Sequence, residues 1–224
     1  MNLAALQLLR LASPSLPIGG YSYSQGLESA LELGLVRDSR SAQAWIAGVL
    51  SGPLARFEAA LLVRVWCSLN ADDTSTLVAL NARLLASRDG SEMRAETEQM
   101  GYSLRTLLAA LPEGQGRWPA VLAGGPVALP VAWAVAAFQL ELDAAQAVES
   151  FLWGWMENQV MVLMKAMPMG QTSGQQLLSA LLPDIAQAVQ IALTLADEDI
   201  SNFAPMLAWV AAQHETQYSR LFRS

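Results

Sequence analysis

The 224-residue sequence contains one cysteine and one histidine, and those two scarcities remove most of the familiar catalytic and metal-binding chemistries. A single thiol, Cys67, can form no internal disulfide and no multi-cysteine metal site. Within its apolar helical run it reads as a small core residue rather than a nucleophile. A single imidazole, His214, leaves one centre around which a Ser-His-Asp arrangement could be built, and His214-Glu215 near the C-terminus reads as a surface pair. A transition metal asks for imidazole, thiolate or clustered carboxylates. The nearest approximations are Asp72-Asp73, which looks like helix-start chemistry, and Glu141 with Asp143, which looks like a loop before a helix. No GxxxxGK[ST] segment is present, which argues against a P-loop nucleotide site. No catalytic residue, cofactor or metal is therefore expected.

Charge is also scarce. Charged residues make up 15% of the chain, against about 25% in typical domains, and 13 basic residues face 20 acidic ones. That balance argues against nucleic acid, which is held by Lys and Arg at phosphates. Hydrophobic residues make up 53%, an excess with two readings: a large helical core, or burial against other chains. The N-terminus, MNLAALQLLRLASP, lacks the basic start and long apolar region of a signal peptide, so the cytoplasm is the expected compartment. Trp118 to Leu140 runs 23 residues without a charge, long enough to span a bilayer. Pro119, Gly124, Gly125, Pro126 and Pro130 interrupt it, and the breaker pattern reads as a buried turn with short helices rather than a membrane span.

What the chain does have is a loop of specified shape. Leu11 to Asp38, LASPSLPIGGYSYSQGLESALELGLVRD, carries Pro14, Pro17, Gly19, Gly20 and Gly26 among apolar and aromatic residues, so it is not a flexible linker. Ser22 with Gln25 fits a capping box for a helix near 23–33, and Gly34 followed by Leu35 fits a Schellman stop. Downstream, helix-spaced stripes predict helices carrying Trp45 and Val49, then Phe57 to Val65 after a kink or restart at Pro53, then Leu77 to Leu85 and Met93 to Leu108. Short helices near 118–123 and 130–139 follow, then long ones from about Asp143 to Lys165 and from Thr172, and a last one over 204–214. No period-2 strand pattern appears. The reading is all-α, one globular domain over 1–224 with about ten helices and short connections.

In the helix over 143–165, Val148, Phe151, Leu152, Trp155, Val160, Leu163 and Met164 should form the buried stripe. Ser150, Gly154 and Asn158 form a path of small residues that would let another helix approach. Lys165 is the only charged residue between Asn158 and Pro183. It reads either as a snorkelling lysine that suits the helix C-terminus or as an interface determinant. The break at Pro168-Met169-Gly170-Gln171-Thr172 allows a capping box at Thr172/Gln175 or Ser173/Gln176, with Gly170 and Gln171 at an exposed tip. Asp197-Glu198-Asp199 reads as a solvated turn or a partner-facing patch. The tail, about 215–224, ends Tyr218-Ser219-Arg220-Leu221-Phe222-Arg223-Ser224. Its aromatic and aliphatic anchors, and the planar donor fork of Arg220, read as a segment that orders on partner binding.

Four stretches carry a resemblance. LASPSLPIGGYSYSQGLE, ALNARLLASRDGSEMRAETEQMGYSL at 79–104, WMENQVMVLMKAMPMGQTSGQQLL at 155–178 and HETQYSRLFRS at the C-terminus resemble, in order, segments of the urease accessory protein family UreF. The resemblance implies a non-enzymatic maturation factor without a cofactor of its own. It implies a helical homodimer that bridges a UreD/UreH-type accessory protein to a UreG-type GTPase on urease apoprotein and couples the GTPase to nickel metallocentre assembly. Partner contacts are then expected at Tyr21, Lys165, Gly170, Gln171, Arg220, Leu221 and Phe222. The alternative is a helical regulator that binds a small molecule, with the shaped loop as a pocket wall.

Overall fold

A computed structural model describes residues 3–114, 118 and 122–224. Among them the secondary structure is helical, with no strand. α1 spans Leu3–Leu11 and α2 Leu27–Glu32. The Schellman stop forms as expected: with Gly34 at φ 68, the Leu35 amide reaches Ala30 O at 2.9 Å and the Gly34 amide reaches Leu31 O at 3.0 Å. The capping box expected at Ser22 and Gln25 does not form. Gln25 and Gly26 both take left-handed conformations before α2, and the Ser24 hydroxyl instead accepts from the Glu28 amide.

α3 spans Ser39–Val49 and opens on a capping box between Asp38 and Ser41. It runs into a π-helical stretch, Leu50–Ala59, whose Gly52 leaves helical geometry just before Pro53. α4 continues over Ala60–Asn70. Cys67 lies exposed on α4, not in the core as expected. Helical spacing had placed it among apolar neighbours, but it points to the outer side of the turn. Asp73 caps α5, Thr74–Ala86, and Asp143 caps α8, Ala144–Ala166, in a box with Gln146. Asp73 is thus engaged in the helix-start chemistry that the sequence suggested, while Asp143, read as part of a loop before a helix, caps that helix; the Asp73 carboxyl, held by the Thr76 hydroxyl and amide and the Ser75 hydroxyl, is lowered to about 2.

The centre of the molecule is α7, Leu129–Gln139, whose residues Pro130 to Ala137 are all buried. It packs against α4 and α8 and against α6, Ser91–Ala110. Its N-terminus is fixed by two side chains from other helices. The Ala128 amide donates to Asn81 Oδ1 at 2.9 Å, and the Leu129 amide donates to Thr97 Oγ1 at 3.0 Å. The short helix expected near 118–123 falls largely outside the described residues. α9, Gln171–Thr194, lies along α8 and completes the core. α10 spans Pro205–His214.

The expected α8 stripe is buried from Val148 to Leu163, with Met164 at its edge. The path Ser150–Gly154–Asn158 receives α7 through Trp133 over its first two members and the loop at Tyr23 over its third. The Trp133 indole donates to Ser150 Oγ at 3.0 Å and extends over Gly154, while Asn158 donates to Tyr23 O at 2.9 Å. Two stretches are long and apolar enough to cross a membrane by length and composition, Ser39–Asn70 and Gln171–Thr194. The first is broken at Gly52 and mostly buried. The second turns Leu177, Leu178, Leu181, Ile185 and Val189 inward and Gln175, Gln176, Gln187 and Gln190 outward, the pattern of an amphipathic helix with one face on the core. Leu3, Leu6 and Leu9 on α1 and Phe203, Met206 and Trp209 at α10 remain exposed.

Candidate functional site

The two segments singled out at the ends of the sequence meet. Gly19, at φ 78, turns the chain into a single 3-10 turn, Gly20–Ser22, which leaves Tyr21 67% exposed. The tail runs beside the residues that follow. The Arg223 amide donates to Ser22 O at 2.8 Å, and the Ser24 and Gln25 amides donate to Ser224 O at 2.7 and 3.2 Å. The tail is thus seated on its own chain, although Tyr218 is fully exposed and Leu221 is 53% exposed.

Three buried or half-buried carboxylates hold it. Glu28 of α2 accepts the Leu221 amide at 2.6 Å and the Phe222 amide at 3.1 Å. Glu92, in the first turn of α6, pairs with Arg220. Glu96, one turn further, accepts the Ser224 hydroxyl at 2.6 Å and also the Gln25 side-chain amide. The Trp155 indole donates to Gln25 in turn. Burial pushes Glu96 up to about 7, against the opposing pull of the Ser224 and Gln25 donors and of Arg88. Lys165 closes the outer side. Its Nζ donates to Leu221 O at 3.1 Å and stands 4.3 Å from the centre of the Phe222 ring. The sequence offered a snorkelling stem or an interface charge. In the structure the ammonium is tethered to the tail, over 56 residues of separation.

His214 is fully buried between two of these carboxylates, not on the surface as expected. Its Nδ1 lies 2.7 Å from Glu92 Oε2 and its Nε2 lies 3.1 Å from Glu28 Oε2. The two contacts leave opposite sides of the ring, so the three side chains form a hydrogen-bonded row rather than a common point for a metal. Among the described residues no group of three or more His, Cys, Asp or Glu side chains is arranged to hold an ion. Glu215 also leaves the surface pair assigned to it. Its Oε1 accepts the Ser91 amide at 2.8 Å and the Ser91 hydroxyl at 2.9 Å, capping α6 from the far end of the chain. The Ser91 hydroxyl first, and the Glu92 amide after it, hold this carboxyl below its ordinary range.

Gly170 and Gln171 stand apart from this assembly. Gly170 is the N-cap of α9 without a side-chain bond, and both residues are exposed. The helix starts one residue before Thr172, so neither expected capping box forms. Asp197 of the acidic cluster pairs with Arg64 at 2.8 Å while staying largely exposed, as a solvated turn should.

Beneath the shaped loop lies a cavity of about 220 Å³ walled by Pro14, Leu16, Ile18 and Tyr21 on one side and by Trp133, Phe151 and Trp155 on the other. Glu96 and the buried ion pair Arg88–Glu58, 2.8 Å apart, also line it. The tail, the Tyr21 loop and this cavity therefore share a wall at Gln25 and Glu96.

Glu28, Glu92, Glu96 and His214 were not selected from the sequence. One of them left a trace. Glu96 falls on the apolar row Met100, Leu104, Leu108 at four-residue spacing, and a carboxylate on a buried stripe calls for a partner. Glu28 left none, because in a six-residue helix the buried residues are consecutive.

The sequence model of the family described as UreF matches residues 36–182. Among curated proteins, the urease accessory protein UreF of Azoarcus sp. (strain BH72) is 48% identical over 225 residues, covering 99% of this chain and 96% of that protein. The UreF of Pseudomonas paraeruginosa (strain DSM 24068 / PA7) is 50% identical over 218 residues, covering 96% of this chain and 97% of its own length. That of Janthinobacterium sp. (strain Marseille) is 47% identical over 222 residues, covering 99% and 98%. The family model stops short of both the Tyr21 loop and the tail, whereas matches covering 99% of the chain take in nearly all of both.

Proposed function

The chain belongs to the UreF family of urease accessory proteins, and from that premise we propose that it acts in urease maturation as a non-catalytic scaffold. In this reading it bridges a UreD/UreH-type helper and a UreG-type GTPase on urease apoprotein and couples the GTPase to nickel insertion. It works as a cytoplasmic homodimer within that complex. The exposed leucines of α1 and the exposed Phe203, Met206 and Trp209 supply apolar surface for such contacts. The observation that carries the reading is the seating of the tail against the Tyr21 loop, which brings Arg220, Leu221 and Lys165 beside that loop and leaves Tyr21 and Tyr218 exposed. Tyr218 and Leu221 are anchors still without cover, so the helper completes the ordering of 215–224, and the GTPase binds to the finished surface. Gly170 and Gln171 form a separate contact.

Deleting Tyr218–Ser224, or making Arg220→Ala, keeps the complex with the helper and loses the GTPase in a pull-down. Undiminished GTPase in the deleted complex leaves the tail a structural strap and rejects the assignment. Lys165→Ala is expected to cost little stability, about 1 kcal/mol at most for an exposed cation–π contact. It lowers urease activity per bound nickel in cells that carry the variant. If melting temperature and activation both match the parent, Lys165 has no part in the surface.

The cavity behind the loop favours a second reading, a helical regulator that binds a small molecule. Saturable binding of a small ligand by the isolated chain would support it. Co-purification with a GTPase and a second helper supports the scaffold.

A further inference from the structure

The only histidine in the chain is fully buried, is used by no step of the scaffold reading, and touches two of the carboxylates that grip the tail. We infer that His214 is the positioning residue of the C-terminal tail: donating from both ring nitrogens to Glu28 and Glu92, it fixes both carboxylates in the orientation that receives residues 220–222, and a ring that lacks either N–H releases them.

The argument is one of hydrogen-bond valence. An ionised carboxylate only accepts, and a neutral imidazole has one N–H and one bare nitrogen. Both ring nitrogens of His214 face a carboxylate oxygen, at 2.7 and 3.1 Å. With both carboxylates ionised, both contacts are satisfied together only when each nitrogen carries a proton. The charges then balance within the cluster, with Glu28 and Glu92 against His214 and Arg220. A bare nitrogen opposite a carboxylate would set two acceptors against each other out of water, which is costly.

Each carboxylate has its second task on the tail. Glu28 Oε1 takes the Leu221 amide, and Glu28 Oε2 takes the Phe222 amide while also meeting His214. Glu92 Oε1 takes Arg220. Turning either carboxylate away from an unprotonated ring therefore breaks tail contacts. The groups facing the cluster from neighbouring elements are Glu28 of α2, Glu92 of α6, Arg220 of the tail and Lys165 of α8 at Leu221. Glu215, next in sequence, is committed to Ser91. Glu96 touches the tail only through the Ser224 hydroxyl. Its ionisation strengthens that bond as pH rises, so it opposes the release expected from His214.

The inference rests on the scaffold reading only for its purpose; the latch itself is measured on the full chain alone. With one histidine, the imidazole nitrogen resonances need no assignment. They and the exchange protection of the Leu221 and Phe222 amides are followed by NMR from about pH 5 upward, until a ring nitrogen is seen to lose its proton. The expected result is two protonated nitrogens at the acid end. As the proton leaves, protection falls at least about tenfold, the size of effect that loss of one charge-assisted contact gives. One bare nitrogen with both amides still protected, or protection that ignores the titration, overturns the inference.

His214→Gln should leave both amides poorly protected at every pH. Because that variant replaces a fully buried side chain, Glu92→Gln provides the independent check. Its amide can donate to a bare Nδ1, so the seated tail should lose its pH dependence. Retention of the parent's pH profile in Glu92→Gln overturns the latch. A freed tail in a complex that still captures the GTPase rejects the recruitment reading and leaves the latch standing.

Discussion

Gly101→Ala is expected to unfold much of this protein's stability margin. A Cβ at that position would stand 2.0 Å from Val127 O and 2.9 Å from Val127 C. Both atoms are backbone, so no rotamer change relieves the clash. α6 must move away from the entry to α7, and that movement pulls Thr97 from the Leu129 amide and Asn81 from the Ala128 amide. Overpacking of a core usually costs about 1–3 kcal/mol; with a backbone obstacle and two caps at risk the cost should reach about 3 kcal/mol or more. For a chain of this size that lowers the melting temperature by roughly 6–12 °C. The gain in helix propensity from Gly to Ala, at most about 1 kcal/mol, cannot offset it. Gly48→Ala is the control. It lies on an exposed face of α3 with nothing within 4 Å of its Cβ position, so it should be neutral or stabilising by about 0.5–1 kcal/mol. Equal melting temperatures for Gly101→Ala and the parent would mean that the two backbones do not meet there.

Glu96→Gln should flatten the pH dependence of stability. The sign follows from a carboxyl whose folded value lies above its unfolded one, about 7 against 4.5. Between those values the unfolded chain gives up its proton first, so stability is fully present below 4.5 and is lost as the pH climbs to about 7. The difference corresponds to about 3 kcal/mol over the whole window. About 2 kcal/mol of it falls between about pH 5.5 and about pH 8, a range that stays clear of the sequence pI near 4.7. Asp73 titrates well below this interval. Urea denaturation of parent and variant at both ends of the range supplies the comparison. Parallel curves for the two proteins would show that Glu96 is ionised without difficulty where it sits. The same side chain links stability to the tail: above pH 7 the carboxylate is a better acceptor for the Ser224 hydroxyl, and the chain's last residue is held by a group whose charge costs the fold.

Much of the architecture was legible in the sequence because helix signals are local. Asp38, Asp73 and Asp143 cap the helices that follow them, Gly34 stops α2, and Pro53 marks the disturbed stretch of the long helical run. The local rules failed where several starts were available within a few residues. Ser22, Ser24 and Gln25 all precede α2, and the chain placed Gln25 in a left-handed turn because its side chain is spent on Glu96 and Trp155. Thr172 and Ser173 lost to Gly170 in the same way.

The site divides along the same line. The resemblance, together with residue type, selected Tyr21, Lys165, Arg220, Leu221 and Phe222, because each also stands out in its own neighbourhood as an aromatic, a lone charge or a tail anchor. Tertiary structure alone decided what they touch. Glu28 reaches the tail across 193 residues and His214 across 186, and Glu215 caps α6 across 124. A polar side chain buried by such contacts looks, in sequence, the same as one left in water. Periodicity reports which face of a helix is turned inward, and only the packing of distant segments determines which charges must be paired once they are there.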